Sequence, residues 1–237
     1  MDVVDEEEHT RPNATSPFLE HQWYTFQVYI SLMGILSGMD RVRQSHQFHR
    51  TFPQPRAYEQ RGSPRQAWIE SHYAFYKITL FSMFDVVLIR TNAVFRLGHC
   101  ERDCTHERIM KHSAVQGTPV HASLAALKKR SKDHEHARHL DAHRGRVPDI
   151  AAALDSEAYD WWNLACCVQE LFGKPPLDKE MVALTYQGYT QQLCEQMQGE
   201  RDKVHDSLWQ LFDTLSPIYD EQFTAICEQV SDALKKE

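Results

Sequence analysis

The chain reads as an all-α protein, a helical bundle of about seven to eight helices, on three observations. Apolar residues recur at three- and four-residue spacing through most of the 237 residues. No stretch sustains the period-two alternation of a half-buried strand. Turn chemistry falls between the periodic stretches, as Ser16-Pro17, Ser63-Pro64, Thr118-Pro119 and the Gly173 to Pro176 run. At 42% apolar and 25% charged residues the composition is that of an ordinary globular chain, long enough for a sizeable core.

Residues 1–15 are acidic and carry little to pack, so disorder is expected there, followed by a single helical domain over residues 16–237. Ser16 caps and Pro17 opens the first helix. Its stripe of Trp23, Phe26, Ile30, Met33 and Ser37 is expected to be the buried face, and the helix to end near Gly38 to Val42. Pro53, Pro55, Gly62 and Pro64 then make residues 44–64 a long loop. After Ser63-Pro64 comes the strongest helical pattern. Trp68, His72, Phe75, Thr79, Met83, Val86, Arg90 and Phe95 form its stripe, widened by Ile78, Val87 and Val94 and stopped at Gly98. A helix apolar over so much of its circumference belongs in the middle of a bundle.

Further helices are expected over about 101–114 and 119–132, with a polar stretch over 133–146. The last third predicts three more. One starts after Ser156 with Tyr159, Trp162, Ala165 and Val168. The next starts at Asp178 with Val182, Tyr186, Tyr189, Leu193 and Met197. The last carries Val204, Leu208, Leu211 and Leu215 and resumes past Pro217 as Tyr219, Phe223, Ile226 and Val230.

Several classes are set aside at this level. The acidic start, five acids and no Lys or Arg in residues 1–10, is the reverse of a signal peptide. The apolar-leaning run from Phe26 to Met39 is too polar to span a bilayer, so no membrane association is expected. Cys100, Cys104, Cys166, Cys167, Cys194 and Cys227 lack a CxxC pair and read as buried thiols of a reducing, cytoplasmic compartment, where the Asn13-Ala14-Thr15 sequon has no meaning. P-loop, dinucleotide and GxSxG signatures are absent, which excludes phosphate-cradling loops and a nucleophile elbow. Trp161, Trp162, Tyr186, Tyr189, Tyr73 and Tyr76 have core spacing and are taken as packing.

Charge is unevenly placed. The net charge of −7 argues against bulk attraction to nucleic acid, yet residues 127–146 hold seven Lys or Arg and four His against three acids. Within that segment Arg138 and His143 are five apart, so a helix ending in a looser turn aims both at one point. A guanidinium there holds phosphate oxygens, and an imidazole moves a proton near neutral pH. The same residues also suit a plain solvated helix end, where cations favour the helix dipole. His136, His139 and His143 at i, i+3 and i+7, and His99, Cys100, Cys104 and His106, are two conceivable metal clusters. Neither has a specific zinc spacing and no HExxH or ExxH pair is present, so no metal and no cofactor is assigned.

Arg138-His139-Leu140-Asp141-Ala142-His143 resembles the R-x4-6-H signature of the HEPN superfamily, with the polar residue usual after the arginine. The preceding layout is similar: a long helix through Asp85, Asn92 and Phe95, a break at Leu97-Gly98, further helices, then the motif. The likeness covers about residues 65–150. It implies a helical bundle, often homodimeric, with the motif near the end of a late helix, and in active members a metal-independent endoribonuclease. By that resemblance His143 is general base or acid on the ribose 2′-hydroxyl or the leaving 5′-oxygen, Arg138 stabilises charge on phosphorus, and His139 orients the phosphate. The implied partners are RNA or a nucleotide and a second copy of the chain. A helical scaffold that docks a protein partner without chemistry is the opposing expectation.

Overall fold

The computed structural model describes residues 17–50, 65–144 and 179–235. Among them the protein is all-α, with five α-helices and no strand: α1 (Pro17–Arg50), α2 (Arg65–Phe95), α3 (His106–Lys111), α4 (Pro119–Arg144) and α5 (Lys179–Leu234), plus a 3-10 turn at Glu101–Asp103. The acidic start, the loop core over 51–64 and the helix expected after Ser156 lie outside the described residues.

The helix starts fall where Pro17 and Pro119 place them, but the ends differ. α1 runs on to Arg50, because Val42, Ser45 and His49 continue its buried register. Residues 44–50 are therefore helix and not loop. The helix expected over 101–114 is a 3-10 turn and then the short α3, whose start is fixed by the Thr105 side chain accepting from Arg108 N–H at 3.3 Å. Residues 179–234 are one helix, not two, because Leu193, Met197, Val204, Leu208, Leu211 and Leu215 keep a buried stripe without a break in phase. Pro217 sits exposed inside it.

The chain folds as two compact units, each discontinuous in sequence. One comprises the chain up to Ser37, Met83–Lys129 and the part of the chain from Ser207. Here α1 buries Tyr24, Val28, Ser31 and Ile35, spaced four, three and four, and leaves Phe26 (54%), Ile30 (49%) and Met33 (43%) open to solvent. The expected buried face is thus the outer one. Two stripes of equal spacing compete on this helix, and the one holding Ser31 and Ile35 adjoins Gly34. A Cβ at Gly34 would lie 2.9 Å from Val86 Cγ1, so glycine is what allows α1 this close to α2. Tyr24 Oη donates to the Val94 carbonyl at 3.3 Å, Arg90 Nη1 donates to the Val28 carbonyl at 2.9 Å, and the Arg90 guanidinium lies 5.3 Å from the Phe212 ring centre. α2 ends with Arg96 in the left-handed region at φ 56°, and Arg96 pairs with Glu20. Asn92 then clamps the exit, donating to the His99 carbonyl at 2.9 Å and accepting from His99 N–H at 3.1 Å.

The other unit comprises Gly38–Ser82 and Arg130–Asp206. α2 buries Ile69, Tyr73, Tyr76 and Leu80 here, one residue out of phase with the expected stripe, and Phe75 is 46% exposed. Tyr76 tolerates burial because its Oη donates to the Met197 carbonyl at 2.5 Å. Lys77, 7% exposed, pairs with Glu200 at 2.7 and 2.9 Å.

α2 does carry burial around most of its circumference, as its composition demands. Its stretch Ser71–Phe95, with mean hydropathy 1.5, is long and apolar enough to cross a membrane by length and composition, and 56% of that window is buried inside the protein. This run, not Phe26 to Met39, is the most apolar one found among the described residues.

Candidate functional site

α4 carries the motif. Gly117, at φ 79°, turns the chain, the Thr118 hydroxyl donates to the Val115 carbonyl at 2.7 Å, and Pro119 opens the helix. Val120, Leu124, Leu127 and Ser131, spaced four, three and four, are buried at 0 to 3% exposure. On the other side Lys129, Arg130 and Lys132 are exposed, with Arg130 Nη1 anchored on the Lys203 carbonyl at 2.6 Å.

The helix does not stop near 132 or loosen before the histidines. It continues as α-helix to Arg144, and this sets the register of every motif residue. Lys129, Lys132, His136, His139 and His143 follow one another at three, four, three and four residues, a single stripe opposite the buried seam. Arg138, seven after Ser131, falls on the register of the seam instead. Five residues of regular α-helix put Arg138 and His143 about 140° apart around the axis and roughly 7.5 Å apart along it. On the helical register His139 and His143 share one stripe and Arg138 falls on another. The side chains of Arg138, His139 and His143 lie outside the described residues.

A second polar cluster escaped sequence reasoning. Among the described residues His49, 1% exposed, has no hydrogen-bond partner at either ring nitrogen, and His46 has none at Nε2. His72 lies under Trp68, ring centres 4.2 Å apart, and beside Phe48 at 5.5 Å. Burial pushes the His49 imidazole down to about 4, helped by neighbouring His72 and His46. Burial, with Arg201 adding, also lowers His46, and burial lowers His72. Nearby, burial and the Glu200 charge raise Tyr73 and Tyr76 well above the ordinary phenol range, and Tyr73 Oη has no partner among the described residues. These shifts favour neutral imidazoles and phenols at neutral pH, which suits a packed interior and not proton transfer. The signal for it was the four-three spacing of Val42, Ser45 and His49, visible only if α1 is allowed to continue.

The cysteine and histidine residues after α2 do not converge. Cys100 Sγ donates to Asp103 Oδ2 at 2.8 Å and Cys104 Sγ donates to the Cys100 carbonyl at 3.4 Å. The His99 ring meets His112 edge-on at 5.9 Å, and the His106 ring tilts against Phe84 at 5.7 Å. No group of three His, Cys, Asp or Glu able to hold a metal occurs among the described residues. The side chains of the alternative trio His136, His139 and His143 lie outside the described residues. Tyr73 and Tyr76 are packed, as expected, whereas Trp161 and Trp162 and the side chain of Tyr186 lie outside the described residues. Compared with known proteins, the chain matches no family model, no curated protein and no solved structure.

Proposed function

We propose that this chain binds RNA or a nucleotide phosphate along the outer stripe of α4, as a HEPN-like protein. In its active form it is a metal-independent endoribonuclease in which His143 moves the proton, Arg138 stabilises charge on phosphorus and His139 orients the phosphate. One observation carries the reading. The exposed Lys129 and Lys132 begin a stripe, opposite a buried seam, whose register runs on through His136, His139 and His143. A stripe of cations and imidazoles over several turns suits successive phosphates of a single strand, and its solvation costs nothing in the core. Because one helix separates Arg138 from His143, cleavage takes the two from different copies, in line with the homodimer the resemblance implies. The free thiols of Cys104 and Cys194, both buried, fit the cytoplasmic setting of this reading.

The second reading, a non-catalytic helical scaffold, is favoured by a different observation, the apolar outer face of α1. Cleavage of mixed labelled single-stranded RNAs in EDTA by wild type, His143→Ala and Arg138→Ala separates the two. Cutting that resists EDTA and vanishes in both variants supports the nuclease. Lys129→Glu with Lys132→Glu is expected to weaken RNA binding and flatten its salt dependence by about two phosphate contacts. A folded wild type that neither cuts nor binds RNA leaves the scaffold.

A further inference from the structure

Once the inner stripe of α1 is assigned to the core, its outer stripe remains. Leu19, Phe26 and Met33 are seven residues apart, and Trp23 and Ile30 interleave them at the same interval, the four-three spacing of a helix seam. Leu19 (46%), Phe26 (54%), Tyr29 (55%), Ile30 (49%), Met33 (43%) and Leu36 (48%) are all open to solvent. The Trp23 and Phe26 rings stack at 6.1 Å and give the stripe a preformed aromatic surface. Isolated exposed apolar side chains are normal on a protein surface, but six on one side of one helix are not.

We propose that this face is where a second copy of the chain docks, α1 against α1. Two features identify the occupant as a copy. From His21 to Met39 there is no Asp, Glu, Lys or Arg, so two identical faces meet without like-charge repulsion although each chain carries −7 overall. The area also suits a self-pairing. With aromatic side chains at roughly 150–250 Å² each and the aliphatic ones somewhat smaller, half-open residues present on the order of 500–600 Å² per copy. A two-fold contact then removes about 1,100 Å², just above the roughly 1,000 Å² that a specific interface needs. A two-fold pairing uses the same patch twice, which the heptad repeat of this stripe permits. The inner stripe fixes α1 in the core, so pairing demands no rearrangement of the monomer. The proposal stands apart from the RNA reading, whose pairing of α4 motifs takes place on bound RNA, and its test is run on RNA-free protein.

The test is sedimentation velocity of the full chain over a range of micromolar concentrations, with Phe26→Lys and Ile30→Lys beside it and Trp209→Lys, an exposed residue of α5, as control. Wild type and the control are expected to sediment as dimers. The two seam variants are expected to lose half the apparent mass while keeping their helical circular dichroism. Should a lysine variant fail to fold, photo-crosslinking from benzoylphenylalanine in place of Tyr29 is read instead, with the crosslinked peptide expected to come from α1 of another copy. A monomeric wild type, a dimer that survives both lysine variants, a crosslink to another segment, or monomers that collect on lipid vesicles would each overturn the proposal.

Discussion

His49 makes stability depend on pH in a window where few other groups act. The side chain is 1% exposed, and burial holds its imidazole near pKa 4 in place of 6.5. Between those two values the unfolded chain binds a proton at this site that the folded chain does not. Stability is therefore full above about pH 6.5, falls as the pH drops, and stops falling below about pH 4, where both states are protonated. At about 1.4 kcal/mol per tenfold change in proton activity, the loss across the window comes to about 3 kcal/mol, a large fraction of a domain's stability. His46 and His72 shift in the same direction and steepen the slope. Carboxylates contribute mainly lower down, so the upper half of the window belongs to the imidazoles. The assay is urea denaturation followed by circular dichroism at steps from neutral pH to about 4.5, on wild type and His49→Leu. The slope of stability against pH decides the matter, since the substitution also changes packing. Equal slopes in the two proteins, or a flat wild-type curve between neutrality and about pH 5, would refute a buried neutral His49.

Two further expectations test the packing. Gly34→Ala gains helix propensity of about 0.8–1 kcal/mol but drives a methyl to 2.9 Å from Val86 Cγ1, on a β-branched side chain that cannot rotate away cheaply. A net loss of about 1–2 kcal/mol is expected from overpacking, and Val86→Ala in the same chain should restore most of it in thermal denaturation. At the buried ion pair the two deletions should differ. Glu200→Ala strands the Lys77 ammonium, 7% exposed, and should cost on the order of 3 kcal/mol. Lys77→Met fills a similar volume without a charge and should cost less, as compared by chemical denaturation.

Periodicity made helix class and most helix starts legible in the sequence, and the buried Val204, Leu208, Leu211 and Leu215 were read directly. Facing was harder. Phe26, Ile30 and Met33 and the competing set Tyr24, Val28, Ser31 and Ile35 have the same spacing, and the more hydrophobic set lies outside. What decides between them is a contact distant in sequence, Gly34 against Val86, which no local pattern encodes. On the first half of α2 the phase was off by one, since apolar residues surround the helix and Tyr76 reaches Met197, whereas Met83, Val87 and Val94 are buried as expected. Helix length failed where polar residues were read as an ending. Asp133 to Arg144 continue α4 as helix, with no proline or glycine among them to end it. At the candidate site the charge cluster and the spacing of Arg138, His139 and His143 were legible, but their register depended on where the helix ends. Of the histidine cluster only the continued register of Val42, Ser45 and His49 was legible, since His46, His49 and His72 meet only after α1 and α2 pack.

Both units are threaded by the same four helices, α1, α2, α4 and α5. Neither unit is a single contiguous stretch of the chain. During synthesis the inner face of α1 emerges well before Leu208, Leu211, Leu215 and Ile226 of its unit, which lie beyond Ser207. Neither α1 nor the first half of α2 can complete its burial from the residues that directly follow it. The nascent chain therefore carries uncovered apolar helix until the residues beyond Ser207 emerge, and a ribosome stalled before Ser207 holds a product that cannot close that core.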